Sequence, residues 1–148
     1  VKLMNNARLK SRVDAVNNAT ANSVWFDFEV FSFNANELII LGSKDFSYYH
    51  QLEIKFLDVA YFSGTPSWGS DPHITAAFSL VEESKALRVL QEKKVNGYFE
   101  VFEFSTDDGA SIIIAALDIV VNMDTVYYYL RENLKENERI ADWVESDG

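Results

Sequence analysis

The sequence predicts an α+β fold: a mostly antiparallel meander sheet of about six strands, packed by two or three helices. Three observations predict it. Residues 24–62 hold three successive extended segments with period-two patterning. Strands follow strands instead of alternating with helices, which argues against a doubly wound parallel sheet. Apolar residues at helical spacing are confined to the N-terminus, Glu82–Val95 and Asp124–Val144.

In chain order, Leu9, Val13 and Val16 recur at helical spacing and predict a short helix over Asn5–Asn17, lying on the sheet or forming a basic arm. Val24, Phe26, Phe28 and Val30 alternate with Asp27 and Glu29, the pattern of a strand with one face on a core. Asn34-Ala35-Asn36 supplies turn residues, and Leu38–Leu41 makes the paired strand. Gln51–Phe62 reads as a third strand whose apolar phase slips after Phe56. A strand changes faces only with an extra residue, so a β-bulge is expected near Phe56-Leu57-Asp58, or else a break in the chain there.

Residues 63–73 hold both prolines and form the most loop-like stretch. Ile74–Val81 returns to a strand. Glu82–Val95 is a helix stopped by Asn96-Gly97. Tyr98–Ser105 is a strand, and Thr106–Gly109 is a hairpin turn. Ala110–Val121 is a near-continuous apolar run that suits a central strand covered on both faces. For Asp124–Val144 the stripe Val126, Leu130 and Leu134 favours a helix. The competing reading is a strand through Thr125–Tyr129 with a shorter helix after it, because three tyrosines and a valine suit a pleated surface.

Residues 1–148 make one domain by size, with a basic N-terminal helix or arm over 1–22 and an acidic body over 23–148. The formal charge is −10; residues 1–18 stand at +3, which leaves −13 for the remainder. An acidic body repels phosphate backbones, so nucleic acid is not an expected ligand. It attracts a basic partner and speeds encounter, although charge also serves solubility alone. Cysteine is absent, which excludes thiol chemistry and disulfides. No secretory apolar segment opens the chain, and the run Ile112–Leu117 is too short to span a bilayer; a cytoplasmic protein with no membrane contact is expected.

No catalytic constellation emerges. The glycines are scattered, so no phosphate-cradling loop forms, and residues 64–69 lack the pattern of a nucleophile elbow. The two histidines, His50 and His73, have too few companions for a zinc site, although Asp71 lies beside His73. No metal and no cofactor is therefore expected. Asp58 and Asp118 stand in apolar surroundings as candidate buried carboxylates, whose raised pKa could serve acid–base work but more often marks a hydrogen-bonded structural role. Candidate partner contacts are Tyr48, Tyr49 and His50, then Trp68, Asp71 and His73 in the long loop. Tyr and Trp bring large area at low entropic cost.

Trp25-Phe26-Asp27-Phe28-Glu29-Val30, then Leu52–Val59, then an apolar strand and a late strand pair resemble the meander of small bacterial immunity proteins of polymorphic-toxin systems, the immunity-protein-50-like group. The resemblance covers roughly residues 24–121. That group tends to carry a His-Asp-Ala-Glu run near its first strand; Phe26-Asp27-Phe28-Glu29 stands there in this chain, without the histidine. It implies an antitoxin docking on a toxin, and no site residue carries over.

The expectation is a non-enzymatic, acidic protein-binding module with a basic protein partner. The alternative is a small-molecule binder or enzyme with an aromatic-lined pocket between sheet and helices, walled by Phe99, Phe102, Tyr127 and Trp143. A homodimer through an exposed sheet face or edge is a third arrangement.

Overall fold

A computed structural model describes residues 2–21, 26–70 and 76–145, with the side chains of 2–5 excepted. The described elements, in order, are α1 (Lys2–Ala21), β1 (Asp27–Asn34), β2 (Glu37–Ser43), β3 (Tyr49–His50), β4 (Leu52–Leu57), β5 (Tyr61–Ser63), β6 (Ser67–Gly69), β7 (Phe78–Leu80), α2 (Glu83–Glu92), β8 (Glu100–Ser105), β9 (Ser111–Ala116), β10 (Asp118–Asn122), β11 (Thr125–Tyr127) and β12 (Glu138–Ile140). The class is the expected α+β, with helices on mainly antiparallel sheets, but the strands are shorter and more numerous than six and fall into three sheets.

A five-stranded sheet runs β10-β4-β2-β1-β6 and a four-stranded sheet runs β5-β9-β8-β7, antiparallel throughout. Two segments serve both. β4 belongs to the first sheet and β5 to the second; β9 belongs to the second and β10 to the first. The strand pair therefore turns a corner together, the arrangement of orthogonally packed sheets. Leu117 N–H donates to Leu57 O at 3.0 Å and Ala60 N–H to Ala115 O at 2.8 Å, which holds the corner closed. The phase slip after Phe56 is this corner. The extra residue expected near Phe56-Leu57-Asp58 is there: from Leu57, opposite Asp118, to Tyr61, opposite Ala115, one strand runs four steps against three, and Asp58 takes a left-handed φ of 55° that redirects the chain. A second register shift falls in β1, between Val30 and Ser32. Phe26 and Phe28 lie in the core, while Phe31 and Phe33, on either side of the shift, are half exposed and rest on Trp143 and Phe62 respectively.

Between the two sheets sits an aromatic core. Phe104 touches Phe28, Trp68 and Phe78, with ring centroids 5.1, 5.0 and 4.4 Å away. Leu38, Ile40, Ile54 and Phe56 fill it from the five-stranded sheet, and Phe102, Ile112 and Ile114 from the other. The helix α1 is longer than its sequence pattern but presents the expected face: Leu9, Val13 and Val16 are buried. It packs on β10 and β7, the outermost strands of the two sheets, and so covers two edges that could otherwise pair with another chain. Arg12 bonds the Asp118 carboxylate at 3.0 Å and the Ile119 carbonyl, and Arg8 reaches Asp118 at 3.3 Å.

On the outer face of the four-stranded sheet lies α2, where Ala86 and Leu90 pack on Val81, Val101 and Ala115. β9 is thus covered on both faces, as its apolar run requires. Glu82 caps α2 by accepting the Ser84 N–H at 2.6 Å. The helix ends earlier than Asn96-Gly97 suggests. Lys94 takes the left-handed position (φ 58°), Val95 N–H bonds Leu90 O at 2.8 Å and Lys94 N–H bonds Gln91 O at 3.1 Å, a Schellman closure.

The expected C-terminal helix over Asp124–Val144 does not form. β11 pairs in parallel with β12 and antiparallel with β3, making a small third sheet. Leu130 and Leu134, two members of the supposed helical stripe, are exposed. Asn133 and Asn137 adopt left-handed backbone, which a helix forbids. The β preference of Val126-Tyr127 prevailed because β3 offered a partner strand.

Candidate functional site

The three-stranded sheet gathers most of the tyrosines. Its position is set by the turn that precedes β3. Asp45 accepts the Ser47 N–H on its side chain at 3.0 Å and the Tyr48 N–H on its carbonyl at 3.2 Å, and Ser43 Oγ donates to Tyr49 O at 2.6 Å. Tyr128 N–H then bonds Tyr48 O at 2.8 Å, and Ala141 N–H bonds Tyr127 O at 2.8 Å. The turn, β11 and the chain after β12 are thereby tied into one unit.

Alternation along residues 127–129 sends the tyrosines to two sides. Tyr127 and Tyr129 join Tyr48 and Tyr49 along an open groove of about 450 Å³, flanked by Lys44 and Arg131. Tyr48 meets Tyr129 edge-on at 6.5 Å and Tyr49 lies 6.3 Å from Tyr127. The Arg131 guanidinium sits 4.3 Å above the Tyr127 ring and donates to Tyr129 Oη at 3.1 Å. Tyr127 Oη donates to Glu138 at 2.7 Å; that bond raises the phenol's pKa, while the Lys135 N–H and then Tyr127 lower that of Glu138. Tyr48 is 58 % exposed and Tyr129 41 %.

Tyr128 turns the other way, toward His50. Its hydroxyl stands 2.7 Å from His50 Nδ1. Burial and then the Arg139 charge lower the His50 pKa to about 4, and burial and then Glu29 push Tyr128 up to about 12. Both groups are neutral near pH 7. Glu29 is itself raised by burial.

A second concavity, of about 510 Å³, lies between α1, α2 and β7. Phe78, Leu80, Leu87, Leu90 and Phe99 line it, with Lys10 and Asp14 across from Glu82 and Glu100. Asn6 Oδ1 is buried without a partner on its α1 side.

Of the sequence-derived contacts, Tyr48 and Tyr49 fall together on the groove. His50 is buried behind them, and Trp68 is buried in the core as part of β6, stacked on Phe28 at 5.7 Å; neither is an exposed anchor. Asp71 and His73 lie outside the described residues. Asp58 is exposed at the corner, where its left-handed backbone explains it, and Asp118 is half-buried and paired with Arg8 and Arg12. Neither is a buried carboxylate, so the acid–base reading loses its ground. Tyr129 and Arg131 were missed as site residues, and Tyr127 was placed only as a wall of a pocket between sheet and helices, because the helical reading of 124–144 hid the tyrosine triplet, the one signal that marks them. Phe99 does wall a cleft between sheet and helices, while Phe102 is core and Trp143 lies on another face.

Among the described residues no three His, Asp or Glu side chains gather as a metal site would need, and no helix is long and apolar enough to cross a membrane. No family model, curated protein or solved structure matches this chain.

Proposed function

We propose that this chain is a protein-recognition module that docks a basic protein through the tyrosine groove of its three-stranded sheet. The observation that carries the reading is the cluster Tyr48, Tyr49, Tyr127 and Tyr129 on one open groove, two of them substantially exposed. Tyrosine is enriched at binding hot spots because it offers a large, stiff, amphipathic surface. The net charge of −10 favours a basic partner at a distance, while Lys44 and Arg131 at the groove leave the contact on Tyr48 and Tyr129 to the partner's apolar and aromatic side chains. An immunity protein that neutralises a basic toxin in the bacterial cytoplasm is the instance that the resemblance of residues 24–121 implies.

Immobilised full-length chain, challenged with lysate of its own source at low and high salt, tests this. A basic protein is expected at low salt, lost at high salt, and lost at low salt from a Tyr48→Ala/Tyr129→Ala chain with unchanged thermal midpoint. Identical capture by the double variant sinks the reading.

The cleft between α1 and α2 favours a second reading, a binder of a small apolar molecule, since its volume and apolar lining fall in the range of ligand sites. Anilinonaphthalene sulfonate fluorescence on the native chain should rise and Leu87→Glu should abolish the rise; no rise removes this reading.

A further inference from the structure

The four-stranded sheet ends on a strand whose outer edge is only half covered. β7 is its outermost strand and pairs, among the described strands, with β8 alone. Ser105 N–H donates to Ala77 O at 3.0 Å and Val81 N–H to Val101 O at 2.8 Å, so residues 77 and 81 turn backbone groups toward β8. In an antiparallel pair such residues alternate with ones that point away. Ser79, opposite Glu103, therefore faces β8 as well, and Phe78 and Leu80 face outward. The Asn17 amide takes both outward groups of Phe78. The N–H and C=O of Leu80 have no partner among the described residues. Helix α1 thus closes one outward position of this edge and leaves the next one open.

That open position lies in the wall of the cleft of about 510 Å³ between α1 and α2, where Leu80 is half-buried. The floor of the cleft is apolar: Val13, Phe78 and Leu90 are buried there, and Leu87 and Phe99 stand nearer the mouth. Of the charged side chains around it, Asp14, Glu82 and Glu100 outnumber Lys10. A free strand edge beside an apolar pocket suits an extended peptide, whose main chain bonds the edge while a side chain fills the pocket. The surplus of carboxylates favours a positive charge on that peptide. Asn17 occupies the edge at Phe78, so the paired stretch is short.

We infer that the cleft binds a short, positively charged peptide in extended form, which pairs with the N–H and C=O of Leu80 and seats an apolar side chain against Leu87 and Phe99. This names the ligand class of the apolar cleft and rests on the second reading given above. It is independent of the tyrosine groove.

The probe is leucyl-valyl-leucyl-lysine amide, titrated into the full chain labelled with nitrogen-15, with hydrogen exchange read at each backbone amide. In the free chain the Leu80 amide should exchange faster than those of Phe78 and Ser79, and saturating peptide should slow it at least about ten-fold. A peptide methylated on its internal main-chain nitrogens keeps the side chains and the charge but loses donors, and should bind at least about five-fold more weakly. Asp14→Lys, an exposed change on α1, should weaken the unmethylated peptide at least about five-fold with little change in thermal midpoint. A Leu80 amide already as slow as that of Phe78, or one that saturating peptide leaves unchanged, overturns the inference. So does equal binding of the methylated peptide, or of the Asp14→Lys chain. A rise in anilinonaphthalene sulfonate fluorescence without Leu80 protection overturns the peptide and spares the apolar cleft; absence of both overturns both.

Discussion

Asn17 of α1 pairs with Phe78 of β7 as another strand would: its side-chain nitrogen donates to the Phe78 carbonyl at 2.7 Å and its oxygen accepts the Phe78 N–H at 3.0 Å. One amide thus satisfies both outward-facing backbone groups at that edge and fixes the helix against it.

Replacing Asn17 by Leu keeps the branched shape, though not the volume, and leaves both Phe78 groups unpaired in a half-buried setting. The chain should lose roughly 2 kcal/mol of stability, read as a lower urea midpoint at unchanged slope, with faster hydrogen exchange at the Phe78 amide. Asn17→Asp retains the acceptor and should keep that amide protected. An unaltered Phe78 exchange rate in Asn17→Leu would show that α1 is held by its apolar face alone.

Lys94 occupies the left-handed position that closes α2. A side chain there costs about 1–2 kcal/mol, part of which Gly returns as entropy of the unfolded chain. Lys94→Gly should therefore raise stability by roughly 0.5–1 kcal/mol, measured by thermal or urea unfolding. A loss would mean that the Lys94 side chain makes a contact worth more than the strain.

The folded-state pKa of His50, about 4, lies below its ordinary value of 6.5. The unfolded chain therefore binds the proton first as pH falls. The associated stability is present above about pH 6.5 and is lost as pH falls toward 4. With allowance for screening of the exposed Arg139, the loss is on the order of 2 kcal/mol. Glu29, raised by burial, acts in the opposite sense, losing stability as pH rises through its titration. The difference between wild type and His50→Gln over that window isolates the histidine. Parallel pH profiles for the two chains would refute the assignment.

Gly42 of β2 sits against the core aromatics. A methyl group added there would stand 2.6 Å from Phe26 Cε1 and 3.2 Å from both Phe28 Cε1 and Leu52 Cδ2. Two of these three atoms belong to rings that are themselves packed, so relief is costly. Gly42→Ala should destabilise by about 1–3 kcal/mol, with a depressed thermal midpoint; an unshifted midpoint would show slack in the Phe26–Phe28 layer.

Much of the candidate site stayed hidden because its halves are far apart in the chain. Tyr48 and Tyr49 were legible as adjacent aromatics between strands. Their companions Tyr127 and Tyr129 lie in a segment whose apolar spacing imitates a helix, and only pairing of Val126 with His50 turns it into a strand. Trp68 shows the reverse: a loop-like neighbourhood of Pro and Gly hides a three-residue strand that pairs with β1 and buries the indole. The cleft between α1 and α2 was anticipated only as a pocket between sheet and helices with Phe99 in its wall; its other walls were not, since no local pattern says where two helices leave a gap.

Local order is written in the chain itself. Alternation at period two in Phe26–Val30 and Leu52–Phe56 and the Leu9-Val13-Val16 face each record one residue's burial at a time, and each emerged as read; the run Ala110–Val121, read as one central strand, is split between β9 and the edge strand β10. Sheet membership is different. Gln51–Phe62 reads as one strand yet serves two sheets, because the corner at Asp58 is set by what packs on either side of it. The same holds for His50, whose burial and neutrality come from Tyr128 and Arg139, residues that meet it only once the sheets have formed. A periodic pattern reports which face of a segment avoids water; which distant segment provides the cover is decided by packing.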